Sequence, residues 1–229
     1  MARKRPEGRL AALAEAALSQ FSQRGYRRAQ VADVAAELGL SPGTVYGSVA
    51  SKEALFDLAV RAAFDERLPE SDGPVAEPPL EALVERVNRL MRDRMQTPEI
   101  VRAVKRQRAP ADVRGELETL VREQYDLVAR NRRAIRLLDR CAADWPALAE
   151  LYHRGARGGL NRRWERYLAR RIETGALPPV PDTAIAGRLV IETIAWFAMH
   201  RHGDPNPQPM DDAKVRETVV TMLLRGFGV

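Results

Sequence analysis

The stretch Val31-Ala32-Asp33-Val34-Ala35-Ala36-Glu37-Leu38-Gly39-Leu40-Ser41-Pro42-Gly43-Thr44-Val45-Tyr46 decides the fold. Val31, Val34, Ala35 and Leu38 recur at helical spacing and predict a short helix that Gly39 stops. Ser41-Pro42 opens the next one, with serine at the N-cap and proline at the first helical position, where a backbone N–H has no partner to lose. Two helices crossing at so tight a turn need a small residue at their closest approach, and Ala35 meets that need. Gly39 tolerates the positive φ of the turn, Leu40 seals the corner, and Val45 anchors the second helix inward. The offsets from Ala35 through Gly39 to Val45 are those of a helix-turn-helix. A generic helical hairpin would give the same spacing.

Outward from this stretch the chain stays helical. Upstream, Leu10, Leu13, Ala14, Ala17, Leu18 and Phe21 form one stripe over three turns, ended by Arg24-Gly25. Downstream, the helix opened by Pro42 is expected over 42–49, and Ser51 caps another whose stripe is Leu55, Leu58, Ala59 and Ala62. Proline and glycine breaks follow at 69–79, 175–181 and 203–209, and between them helices are predicted over 80–96, 98–108, 112–141, 146–154, 157–174, 183–202 and 212–227. No stretch alternates with period two, so no sheet is expected. The fold class is all-α. A three-helix N-terminal domain is predicted over 1–60, its fourth helix running to about 68 as a connector, with a larger helical domain over 61–229.

The composition suits such a chain and narrows its chemistry. With 229 residues, 45% of them hydrophobic and 30% charged, it can bury a real core. No window nears 18 uninterrupted apolar residues, so no membrane span is expected. The start Met1-Ala2-Arg3-Lys4-Arg5-Pro6-Glu7 lacks the apolar run of a signal peptide, and the expected compartment is the cytoplasm. Cys141 is the only cysteine, which excludes an internal disulfide and a cysteine-based zinc site. The net charge of +6 favours polyanionic partners, yet residues 101–180 hold most of the excess, 18 basic against ten acidic. Arginine supplies 33 of the 37 basic residues, a bias that coding composition also explains. No nucleophile, base and orienter form a recognisable motif, and no glycine-rich phosphate loop is present, so no enzymatic activity and no cofactor are expected.

In order along the chain stand Gly25-Tyr26, Val31-Ala32-Asp33-Val34-Ala35, Gly39-Leu40-Ser41-Pro42-Gly43-Thr44-Val45-Tyr46 and Ser51-Lys52-Glu53-Ala54-Leu55-Phe56. This run resembles the N-terminal domain of TetR-family transcriptional regulators over roughly residues 8–60. The resemblance implies a cytoplasmic homodimer whose first three helices bind double-stranded, palindromic or near-palindromic operator DNA. It also implies a C-terminal domain that binds a small-molecule effector. Matched by position, Ser41, Pro42, Gly43 and Thr44 open the recognition helix, whose N-terminal end faces bases and phosphates. Tyr46 and Lys52 match phosphate-contacting residues of the family. A solvated first-turn side chain is the plainer reading of Lys52, and a hydrogen bond to the Ser41 cap is that of Thr44.

Departures from the family pattern complete the candidate interface. Ala29-Gln30 stands where a capping Ser or Thr is usual, leaving Gln30 as an amide donor. Gly47-Ser48-Val49 replaces bulkier polar and aromatic residues, and Gly47 weakens the helix by roughly 1 kcal/mol relative to Ala. Readout then leans on Thr44, Arg27 or Arg28, or on an Arg3-Lys4-Arg5 arm in the minor groove, with a solvated tail as the alternative.

In the C-terminal region the helix over 183–202 is apolar nearly all round, and that over 212–227 has a wide apolar face. Their excess apolar surface predicts a two-fold interface built from Ile185, Leu189, Glu192, Trp196, Val215, Val219, Met222 and Leu223, against a monomeric core pair as the alternative. Cys141, Trp145, Tyr152, Trp164, Tyr167, Trp196 and His200 are the candidates for effector contact, though such side chains serve equally as core. His200 and His202 are two apart, a poor helical spacing for one metal, so no metal site is expected. The expected function is a dimeric sequence-specific DNA-binding regulator, a repressor released by a small hydrophobic or amphipathic ligand. The alternative is a small-molecule-binding or protein-interaction module with weakened or lost DNA recognition.

Overall fold

Periodic apolar residues become helices at nearly every predicted place. The computed structural model describes residues 8–70 and 73–229; the Arg3-Lys4-Arg5 arm lies outside them. In chain order the α-helices are α1 (Arg9–Arg24), α2 (Val31–Glu37), α3 (Pro42–Tyr46), α4 (Lys52–Ala63), α5 (Leu80–Arg94), α6 (Pro98–Lys105), α7 (Val113–Arg130), α8 (Arg132–Ala142), α9 (Pro146–Ala149), α10 (Gly158–Glu173), α11 (Thr183–Ala198) and α12 (Asp212–Gly226). A π-helical segment, Glu150–Arg157, leads into α10, and a 3₁₀ turn, His200–Gly203, follows α11. No strand occurs among the described residues; an isolated parallel bridge joins Val49 to Val75.

Several helix ends differ from the sequence expectation. The helix expected over 42–49 ends at Tyr46, because the chain beyond it bonds elsewhere: Val75 N–H donates to Ser48 O (2.8 Å) and Ala50 N–H to Val75 O (2.9 Å). The helix expected over 112–141 is two, α7 and α8, broken at Asn131, whose Nδ2 donates to Leu127 O (2.9 Å) and competes with the helical ladder. The helix expected over 183–202 gives way after Ala198 to the 3₁₀ turn.

The chain forms two compact units, one running to Arg94 and including Arg133–Gly155, the other comprising Met95–Arg132 and Ala156–Val229. In the first, α1 packs along α4, burying Leu13, Ala14, Ala17, Leu18 and Phe21 against a helix that buries Leu55, Phe56, Leu58 and Ala59. Asp57 of α4, itself buried, holds Arg61 (2.9 Å) and Arg86 of α5 (2.8 Å), and Glu66 takes Arg89 (2.8 Å). Ionic contacts thus fix α5 on the helix that the α1 core orients.

In the second unit α10 and α11 meet at Gly187, where a Cβ would lie 3.1 Å from Trp164 Cβ and 3.2 Å from Glu165 N. Any larger residue there would push the two helices apart. The buried face of α10 carries Trp164, Tyr167, Leu168 and Arg171. Arg171 is fully buried and pairs with Glu116 of α7 through Nε (2.7 Å) and Nη2 (3.0 Å), while Nη2 also donates to Ala103 O (3.2 Å). Arg122 and Arg216 tie α7 to α12 through Glu217 (2.6 Å) and Asp126 (2.7 Å).

A buried guanidinium without its carboxylate is far more costly than an exposed one. Replacing Glu116 by Ala is expected to destabilise the chain by about 3–5 kcal/mol in urea denaturation. Disrupting the exposed pair Arg67–Glu70 by Glu70→Ala should change stability by under ~1 kcal/mol.

Candidate nucleic-acid interface

The turn between α2 and α3 is closed by the residues the sequence singled out. Gly39 adopts a φ of +64°, and Leu40 N–H donates back to Ala35 O (2.8 Å), so the corner is sealed as its glycine and leucine require. Ala35 and Val45 are buried. Ser41 caps α3: its Oγ accepts from Thr44 N–H (3.2 Å) and lies 2.9 Å from Thr44 Oγ1. Thr44 thus makes the cap hydrogen bond anticipated as its plainer role, and its side chain is half-buried. At the N-cap of α2, Gln30 N–H donates to Asp33 Oδ2 (2.8 Å) and the Gln30 side chain remains exposed.

The exposed surface of this corner includes Gln30, Ser41, Pro42, Gly43, Tyr46 and Gly47, with Tyr46 49% accessible. Ser48 is different. It is buried, because the backbone leaves α3 at Gly47 to pair with Val75. Tyr46 is therefore the last large side chain that α3 carries outward.

Lys52 sits behind this surface at the start of α4. Its ammonium donates to Arg27 O (3.2 Å) and lies 4.9 Å over the Tyr26 ring. Burial lowers its pKa from the ordinary lysine value. The Tyr26 hydroxyl donates to Glu53 Oε1 (2.6 Å), and burial together with this bond raises the phenol's pKa. The same hydrogen bond holds the Glu53 carboxyl below its usual value.

Of the residues proposed to line an effector site, Cys141 and Trp145 belong to the first unit and support this corner. Trp145 lies 4.8 Å from the Tyr26 ring and 5.5 Å from that of Phe56. Cys141 is buried, its thiol pushed up to about 12 by desolvation and by Asp144. Tyr152 is buried in the π-helical segment. Trp164 and Tyr167 are fully buried in the second unit, edge to face at 5.9 Å. Trp196 and His200 are exposed. Three of the seven thus belong to the first unit and four to the second.

On the proposed dimer face, Ile185 and Leu189 (each 62% accessible), Trp196 (39%) and Met222 (60%) are exposed, and Leu223 is partly so. Val215 and Val219 are instead buried in the core of the second unit, on the side of α12 turned toward α7 and α11. Glu192 pairs with Arg188 (2.7 Å) and Arg157 (2.8 Å).

Comparison with known proteins agrees with this geometry. Residues 13–59 match the family model of bacterial regulatory proteins of the tetR family. No curated protein matches the chain. Among solved structures, the ketosteroid transcriptional regulator KstR2 of Mycobacterium tuberculosis is 19% identical, with 99% of this chain and 98% of that one covered at a TM-score of 0.54. A tetR-family regulatory protein from Rhodococcus RHA1 is 18% identical over 95% of this chain and 96% of its own, at 0.52. AibR, solved with isovaleryl coenzyme A and operator DNA, is 16% identical over 94% and 98%, at 0.51.

The folded pKa of Glu53 lies below the unfolded value of about 4.3, so the stability it contributes is complete above that value and is lost as pH falls through the folded pKa. Urea midpoints measured from about pH 5 down to 3 should fall less steeply for Glu53→Gln than for the wild-type chain. Its N-terminal segment thus matches the model of the tetR family of bacterial regulatory proteins, and along nearly its whole length the chain shares the all-α fold of solved regulators of that kind.

Proposed function

We propose that this chain is a dimeric, sequence-specific DNA-binding transcriptional regulator, acting as a repressor that a small hydrophobic or amphipathic ligand releases. The observation that carries the reading is the coincidence of the tetR-family match over 13–59 with a corner whose outward face is the capped N-terminus of α3 and the exposed Tyr46. Free N–H groups at such an end attract phosphate and admit base edges. Pro42, Gly43 and Thr44 take base or phosphate contacts, Tyr46 and Lys52 hold phosphates, and Gln30 donates from the start of α2. Residues 1–60 form the DNA-binding domain in this reading, and 61–229 the effector-binding and dimerisation domain.

The exposed ridge of Ile185, Leu189, Trp196 and Met222 supports a two-fold contact, since so much apolar surface on two adjacent helices marks an interface more often than a solvated face. That AibR was solved with an acyl-coenzyme A supports an amphipathic effector. The buried pair Trp164 and Tyr167 is the part of the candidate effector set that lies within the second unit's core. Two observations favour a second reading, a helical sensor module with weakened DNA recognition: α3 is five residues long, and Ser48 is buried.

The test is selection of a 30-base-pair duplex from a random-sequence pool at about 150 mM salt, followed by affinity measurements against salt. Tyr46→Phe should weaken binding and leave the salt slope unchanged, whereas Lys52→Ala should weaken it and reduce the slope by about one. A wild-type chain that enriches no sequence would favour the sensor module. For the dimer, Leu189→Arg is expected to give a monomer in analytical ultracentrifugation at micromolar concentration, with helical content retained.

A further inference from the structure

The α1–α2 turn, Gly25 to Ala29, carries Arg27 and leads into Gln30, and its Arg27 carbonyl holds Lys52. Locally, Ala29 N–H donates to Gly25 O (3.2 Å) and Arg28 Nε to Arg24 O (3.1 Å). Four groups from the remote segment 140–145, which belongs to the same unit, add to this, two on the turn itself and two on the end of α1 that leads into it. Arg140 Nε donates to Gln23 O (3.1 Å), the last turn of α1. Cys141 Sγ lies 3.6 Å from Phe21 O. Asp144 Oδ2 accepts from Arg27 N–H (3.0 Å). Trp145 closes an aromatic cluster with Tyr26 and Phe56, and Phe21 completes it, 5.9 Å from Tyr26 and 5.1 Å from Phe56.

The fit leaves no slack at Gly25. Its φ is +82°, and a Cβ there would stand 2.7 Å from Asp144 Oδ2 and 3.3 Å from Arg140 O. Gly25 is thus required twice, by its backbone conformation and by the approach of Asp144. Farther along α1, Arg133 pairs with Glu15 (2.6 Å), so the contacts advance in step along α1 and α8.

We propose that Asp144, with Arg140 and Trp145, is a positioning residue of the nucleic-acid interface. It touches no nucleic acid, but holds the turn whose Arg27 carbonyl orients Lys52 and whose end presents Gln30 at the start of α2. A carboxylate on a backbone N–H is a charge-assisted bond of fixed direction, and its loss frees the Arg27 amide and, with it, the carbonyl that holds Lys52. Segment 133–155 therefore acts on the interface from more than 100 residues away in sequence. The chain leaves it for the second unit at the Arg132–Arg133 junction and through the π-helical segment. This inference rests on the DNA-binding reading.

The test compares wild type, Asp144→Ala and Asp144→Asn on the duplex that the wild-type chain selects from the random pool, at several salt concentrations. Amide hydrogen exchange at Arg27 and melting temperature are measured on the same samples. The expected result is an affinity loss of about tenfold for Asp144→Ala, the equivalent of one hydrogen bond, with an unchanged salt slope and faster exchange at Arg27. Asn keeps an acceptor oxygen, so Asp144→Asn should recover affinity and exchange to within about threefold of wild type. Wild-type affinity in Asp144→Ala would overturn the inference, and so would an equal loss in both variants that follows their melting temperatures. A wild-type chain that enriches no duplex defeats the functional reading and this inference together, and is told apart because the failure precedes any substitution.

Discussion

The aromatic cluster of Phe21, Tyr26, Phe56 and Trp145 is the contact on which the candidate interface depends. It joins three segments, the end of α1, the body of α4 and the loop after α8, around one turn. Its apolar faces supply burial, and the Tyr26 hydroxyl at its edge is satisfied by Glu53. Lys52 lies on the Tyr26 ring face, where the π-system is negative. The position of the cation expected to meet phosphate is thereby set by the core rather than by solvent. Two short helices, α2 and α3, with seven and five residues, could not hold a fixed orientation by their own hydrogen bonds. They hold it because Val31, Val34, Ala35 and Val45 are buried in the same unit.

Local rules made the corner legible in the sequence. Gly39 stopped α2, Ser41 and Pro42 started α3, and Ser51 started α4, each by chemistry confined to a few residues. The all-α class was equally readable, since the helical stripes persist through the chain. What the sequence hid was decided by partners far along it. Beyond Tyr46, Ser48 O accepts from Val75 N–H and Ala50 N–H donates to Val75 O, long-range bonds that no local propensity records. Cys141 and Trp145 looked like pocket residues because a thiol and an indole suit a pocket as well as a core. Their partners, Phe21 and Tyr26, lie roughly 120 residues earlier. Val215 and Val219 shared an apolar stripe with Met222, and only packing against α7 and α11 separated the buried side of α12 from the exposed one.

The second unit obeys the same physics with a different emphasis. Its helices close on one another at Gly187 and are held by arginine–carboxylate pairs, of which Arg171–Glu116 is the buried one. Part of the arginine excess over 101–180, ambiguous as a sign of a polyanionic partner, is engaged inside this unit: Arg122, Arg170 and Arg171 all have partners within it. The exposed apolar ridge on α11 and α12 is the feature of this unit that internal packing leaves open.

The most direct measurement is capture of fragments of the source genome by the purified chain at about 150 mM salt, followed by sequencing of what is retained. Non-specific phosphate contacts weaken steeply with salt, so retained fragments report base recognition. The account predicts enrichment of one or a few palindromic sites, with half-sites about one helical turn or a multiple apart. Retention that follows bulk DNA, with no site enriched by a folded chain, would contradict it.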